Sequence, residues 1–153
     1  MEDKNTIMTF KQIVEKTLDI KDGFHRGLQA LRANAKLVSA TDTQKLEGSV
    51  DIDACTKNIY PQDSRWDYAI GYGGKVYFLE IHPANTSNIK EMIKKAEWLK
   101  NWLAQKAPLL KSRAVNSYYW KASGRFNILP NSPQNRKLAQ SKIKLISNCK
   151  LPL

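Results

Sequence analysis

The stretch "WDYAIGYGGKVYFLEIHPA", from Trp66 to Ala84, constrains the fold more than any other part of the chain. Two runs rich in aromatic and β-branched residues flank Gly73-Gly74, a pair suited to a two-residue turn with positive φ. The pattern predicts an antiparallel hairpin. With Gly73 and Gly74 in the turn, Tyr72 faces Lys75, and opposed residue numbers sum to 147. That register puts Asp67 directly opposite Glu80. Side chains alternate between faces, so Glu80 and His82 share a side with Val76 and Phe78. Asp67 joins them across the ladder.

Directly opposed Cβ atoms lie about 4.5–5.5 Å apart. Two carboxylates at that spacing repel unless something relieves them. A raised carboxylate pKa is one relief. A basic side chain reaching in is a second, and a divalent cation is a third. The ordinary alternative is that Asp67 sits at a solvated strand end and Glu80 on a solvated face. The apolar neighbours Val76 and Phe78 on Glu80's own face argue against it.

The rest of the chain supplies helices and strands around this hairpin. Thr9 with Gln12 forms a capping box for a helix carrying Phe10, Ile13, Val14 and Leu18. Asp22 is placed to cap a second helical stretch with Phe24, Leu28 and Leu31 on one face. "GSVDIDA" reads as a strand in which Val50 and Ile52 alternate with Asp51 and Asp53. Ser87 is expected to cap a long helix, residues 88–106, with an apolar stripe of Ile89, Met92, Ile93, Ala96, Leu99 and Leu103. Pro108 ends or kinks it. "SYYWKAS" and "RFNILP" read as two strands around Gly124. Ser132-Pro133 opens a short helix, and "KIKLIS" is a closing strand. Pro83 is expected to stop the second hairpin strand. This order predicts a single α/β domain over 1–153, with a central mixed β-sheet flanked by helices.

Composition matters chiefly through charge. The 153 residues carry 25 Lys and Arg against 14 Asp and Glu, a net charge of +11. Residues 1–67 hold 10 basic and 11 acidic side chains, whereas no acidic residue follows Glu97 and 11 basic ones do. Such asymmetry points to a polyanionic partner, most often nucleic acid, with a merely soluble basic surface as the bland alternative. The two cysteines, Cys55 and Cys149, make no disulfide framework or CxxC zinc motif, which suits a reducing cytoplasm. No apolar run approaches the roughly 20 residues of a membrane span, and the N-terminal residues lack a signal peptide's apolar region. No Walker loop, G-x-S-x-G or HExxH occurs.

Asp67, then 12 residues, then Glu80-Ile81-His82 at a strand end resembles the PD-(D/E)XK, or restriction-endonuclease-like, nucleases. The order of elements from Thr9 to about Trp120 can be laid on that family's core of helix, three-stranded meander, helix and strand. The resemblance implies that Asp67 and Glu80 hold Mg²⁺ or Mn²⁺, and that Glu15 on the first helix adds a ligand. It implies hydrolysis of phosphodiester bonds, with DNA ahead of RNA as substrate. The family's lysine is replaced by His82, which makes His82 the expected third catalytic residue beside Asp67 and Glu80. In some members the lysine comes from the following helix, which here offers Lys90 or Lys94. The competing reading is a catalytically inactive nucleic-acid-binding or protein-interaction module on the same fold.

Lys90, Lys94, Lys121 and Arg125 are the candidate nucleic-acid contacts. Asp51 and Asp53 form a D-x-D that either joins the metal site or faces solvent. His25, beside Arg26, is a candidate phosphate contact, although a surface position is the plainer reading. Tyr118, Tyr119 and Trp120 offer stacking faces for bases, but alternation favours packing in the core. Trp98 and Trp102, four residues apart, offer a packing surface or a homodimer interface.

Overall fold

The computed structural model describes residues 7–153. Helix α1 (Phe10–Glu15) starts at the expected capping box: the Gln12 N–H donates to Thr9 Oγ1 and the Thr9 N–H to Gln12 Oε1. The helix is shorter than its periodicity suggested, and Leu18 lies beyond it, exposed. The stretch after Asp22 forms no α-helix. It runs as irregular chain into a 3-10 segment, Gln29–Leu37, followed by strand β1 (Val38–Ala40).

Strand β2 (Leu46–Asp51) corrects the reading of "GSVDIDA" as one strand. It stops at Asp51, whose carboxylate accepts the Ala54 N–H and so caps helix α2 (Ile52–Thr56). An N-capping oxygen satisfies a helix-end N–H that would otherwise lack a partner, and here the cap outweighs the β pattern. The predicted hairpin follows as β3 (Tyr68–Tyr72) and β4 (Lys75–Ala84). Tyr72 faces Lys75 and Tyr68 faces Leu79, so the register is the expected one. Gly73 and Gly74 both have positive φ, +58° and +81°.

β4 does not stop at His82. It continues through Pro83 to Ala84, with a register shift between His82 and Ala84 that accommodates a residue lacking an N–H. Helix α3 (Ile89–Gln105) comes next. Ser87 is not its cap: Asn85 closes a reciprocal capping box with Asn88 around a 3-10 turn that leads into the helix. Pro108 opens a new helix, α4 (Pro108–Arg113). The two strands expected around Gly124 are one long strand, β5 (Ala114–Phe126). Helix α5 (Pro133–Gln140) starts at Ser132 as predicted, and β6 (Ile143–Ile146) and β7 (Cys149–Leu151) close the chain.

The main sheet has the order β2-β3-β4-β5-β6. β2, β3 and β4 form an antiparallel meander, and β5 and β6 add in parallel. A separate parallel pair joins β1 to β7. On one sheet face Val76, Phe78, Tyr118 and Trp120 pack with Phe10, Met92 and Leu99. On the other, Ile70, Tyr77, Leu79 and Tyr119 pack with Leu31 and Leu151. The molecule is therefore a mixed α/β fold in which helices cover the sheet.

Candidate functional site

The hairpin register delivers Asp67 to Glu80, just beyond the last paired residues of β3. The Asp67 N–H donates to Glu80 Oε1 at 3.0 Å, and the Ile81 N–H donates to Asp67 Oδ2 at 3.3 Å. Side-chain oxygens thus take over where the strand ladder ends. The Asp67 carbonyl accepts the Ile52 N–H at 2.7 Å, which fixes the start of α2 against this residue.

Lys95 completes the group. Its Nζ forms an ion pair and hydrogen bond with Glu80 Oε2 and lies 3.8 Å from Asp67 Oδ1. The Glu80 side chain is fully buried, and those of Lys95 and Asp67 are 15% and 23% exposed. Glu80 points to the α3 side of the sheet, as expected from its sharing a face with Phe78. Burial first, and the Asp67 charge second, push the Glu80 carboxyl well above its usual range. Burial also raises Asp67, against the pull of Lys95. Burial works against the Lys95 ammonium, but Glu80 and Asp67 outweigh it and hold its pKa above the usual value. Two of the three reliefs open to a carboxylate pair are therefore present together: a basic side chain between the carboxylates and a raised carboxyl pKa.

Lys95 was not among the residues expected here. Neither Lys90 nor Lys94 reaches the pair; both are exposed on other faces of α3. The missed signal lies in helical phase. At about 100° per residue, Lys95 stands about 60° from Met92 at the centre of the apolar stripe, whereas Lys90 and Lys94 stand about 160° away. A lysine flanking the stripe is the one that can bend under the helix to the sheet.

His82 shares the face of Glu80, and its ring is engaged elsewhere than with the two carboxylates. Its Nδ1 lies 3.1 Å from the Pro83 carbonyl, and its ring packs edge-on to Trp120 at 6.4 Å. Glu15 is exposed and pairs with Lys11, one turn away. Among the described residues, no three His, Cys, Asp or Glu side chains gather in a way that could hold a metal ion, so Glu15 does not complete a ligand set. Asp51 spends its carboxylate on capping α2, and Asp53 pairs with Arg65 at 2.8 Å. Burial raises the Asp51 carboxyl, and the Asp67 charge adds to the rise. His25 is exposed and bridges through its backbone to Ser49. Lys121 turns its ammonium to the Ala122 carbonyl, and Arg125 is exposed towards the end of β5. Tyr118, Tyr119 and Trp120 are buried, so their faces serve the core. Trp98 and Trp102 stack at 5.6 Å, their indole N–H groups donating to Asp63 and Asp19. Trp66, next to Asp67 and fully buried, keeps an Nε1–H without a protein partner among the described residues.

Two carboxylates suit a hard divalent cation, since Mg²⁺ is ordinarily held by one or two protein carboxylates together with substrate phosphates. Asp67 and Glu80 form such a donor set. The Lys95 ammonium contacts both carboxylates, so a metal ion and the lysine compete for the same oxygens. No protein-family model, curated protein or solved structure matches this chain.

Proposed function

We propose that this chain is a metal-dependent nuclease of the restriction-endonuclease-like kind, with Asp67, Glu80 and Lys95 as its centre. The observation that carries the reading is the lysine from α3 set against two carboxylates that the hairpin register brings together. Asp67 and Glu80 would hold Mg²⁺ or Mn²⁺, which when bound supplies polarisation of the scissile phosphate and a more acidic water. Lys95 would act there as a hydrogen-bond donor and a positive charge. Placed beside the carboxylates, its ammonium orients the attacking water and offsets the negative charge that builds on the phosphate oxygens. Hydrolysis forms one P–O bond to water and breaks one to the leaving oxygen; the proton lost by the water balances the one gained by the leaving group. The basic second half of the chain holds the flanking phosphates.

A second reading is an inactive binding module on the same fold. It is favoured by the closure of the Glu80 carboxylate: one oxygen accepts the Asp67 N–H, the other accepts Lys95, and neither reaches solvent.

Incubation with plasmid and oligonucleotides, with Mn²⁺ or with a chelator, tests both. Metal-dependent cleavage is expected from the wild type and none from Glu80→Gln. Lys95→Gln should lose about 10²–10³ in rate, the usual cost of removing one charge-stabilising donor. His82→Ala should keep most of the activity. Loss of cleavage in His82→Ala with Lys95→Gln intact would return the role to the histidine. A wild type that binds but never cleaves would favour the binding module.

A further inference from the structure

A second polar feature lies on the other flank of α3. Two clefts share a wall where α3, α4, the start of β5 and the turn between α5 and β6 meet. The larger, about 340 Å³, is lined by Lys100, Asn101, Lys111, Asn116, Tyr118 and Lys142 among others. The smaller, about 210 Å³, continues from Lys100, Tyr118 and Lys142 to Gln140 and Ser141, with Glu97 as its one acidic residue. Lys100, Lys111 and Lys142 are all exposed, and none has an ion-pair partner among the described residues.

Lys142 supplies an independent observation. It follows Ser141, the C-cap of α5, and takes φ = +63°. This is the position where helices commonly end in glycine, because a Cβ is strained in the left-handed region. The Lys142 carbonyl accepts the Tyr118 N–H at 2.8 Å, so its strained backbone is pinned to β5. A lysine thus stands, against its conformational preference, in the wall of clefts that Lys100 and Lys111 also line. Retained strain of this kind is a pointer to function.

We propose that this double cleft binds the phosphodiester backbone of a nucleic acid, with successive phosphates against Lys100, Lys111 and Lys142. The proposal rests on the nuclease reading for its choice of ligand. Separate ammonium groups spread over two joined clefts match a chain of phosphates better than one compact anion. Lys95 and Lys100 project from opposite flanks of α3, a cylinder about 10–12 Å across with its side chains. A strand held in the cleft must round the helix to reach Asp67 and Glu80. The contact therefore belongs to nucleotides flanking the scissile bond.

The test is fluorescence anisotropy with labelled single-stranded and duplex oligonucleotides in the presence of a chelator, over a range of salt. The triple variant Lys100→Gln, Lys111→Gln, Lys142→Gln should bind weakly and lower the salt slope by about 2–3, at roughly 0.7–0.9 per phosphate contact. A control triple at exposed lysines outside the cleft, Lys57→Gln, Lys75→Gln, Lys150→Gln, should change affinity much less. Equal losses in the two triples would reduce the effect to net charge and overturn the cleft. Lys142→Gly separates binding from folding: it should raise the melting temperature while weakening binding, and unchanged affinity would count against the proposal. Inorganic phosphate displacing the oligonucleotide at low concentration would identify a small-anion site instead. Cleavage is scored apart from binding. If the cleft triple loses binding while the wild type never cleaves, the cleft stands and the nuclease reading falls; if Lys95 is needed for cleavage while the cleft triple binds normally, the reverse holds.

Discussion

One cation faces two anions at the meeting of Asp67, Glu80 and Lys95, and Glu80 is sealed from water. Removing one member of a buried pair strands the other charge. Lys95→Met should therefore cost about 3–5 kcal/mol of stability, whereas Glu80→Gln with Lys95→Met should cost far less than the two single changes together. Urea unfolding of the four proteins measures that coupling. The pH dependence has a definite sign. The Glu80 carboxyl has a folded pKa well above its ordinary 4.5. Stability from this group is complete below that ordinary value and is lost as pH rises through the folded value. The wild type should gain stability relative to Glu80→Gln as pH is lowered from neutrality towards 4.5. A difference that stays flat over that window would show the carboxyl to be unshifted.

The hairpin and α1 meet at a glycine for a reason the turn glycines do not share. A Cβ on Gly71 would stand 2.5 Å from Phe10 Cγ, and Phe10 is itself buried in the core. Gly71→Ala should cost about 1–3 kcal/mol through overpacking, read from the shift of the urea midpoint. At Gly73 and Gly74 a Cβ meets nothing within 4 Å, so only the positive φ matters. Gly73→Asn should be nearly neutral, since asparagine suits the first position of such a turn, and Gly74→Ala should cost about 1–2 kcal/mol. This hairpin was legible because each strand's alternation and the turn chemistry are local. The single strand from Ala114 to Phe126 was not legible: Gly124 looks like a break in sequence, yet β4 pairs with the chain on both sides of it, His82 with Ala122 and Ala84 with Phe126, and keeps it extended.

The short strand after the first 3-10 segments and the C-terminal strand hold each other. β1 and β7 pair in parallel, and Cys149 and Leu151 are buried against Leu31 and Ile70 on the sheet face away from α3. Leu151→Ala should cost about 2–5 kcal/mol, although the residue is third from the C-terminus. Thermal unfolding would show it, and a loss under 1 kcal/mol would mean that this face is not a cooperative part of the core. Local order was set by the sequence itself: the 147 register that opposes Asp67 to Glu80, the Thr9 and Ser132 caps, and the inward stripe of α3. Each depends on residues a few positions apart, or on a period of 2 or 3.6 that the chain carries wherever it goes. Which lysine meets the carboxylates was decided in three dimensions. Helical phase narrows the choice to Lys95 and Lys100, one on each flank of the stripe, but only the seating of α3 over β4 carries the Lys95 ammonium to Glu80. The cleft of Lys100, Lys111 and Lys142 likewise joins residues from α3, α4 and the turn before β6, and no period in the sequence relates them. Side chains that meet across separate elements are fixed by packing, and packing depends on the whole chain at once.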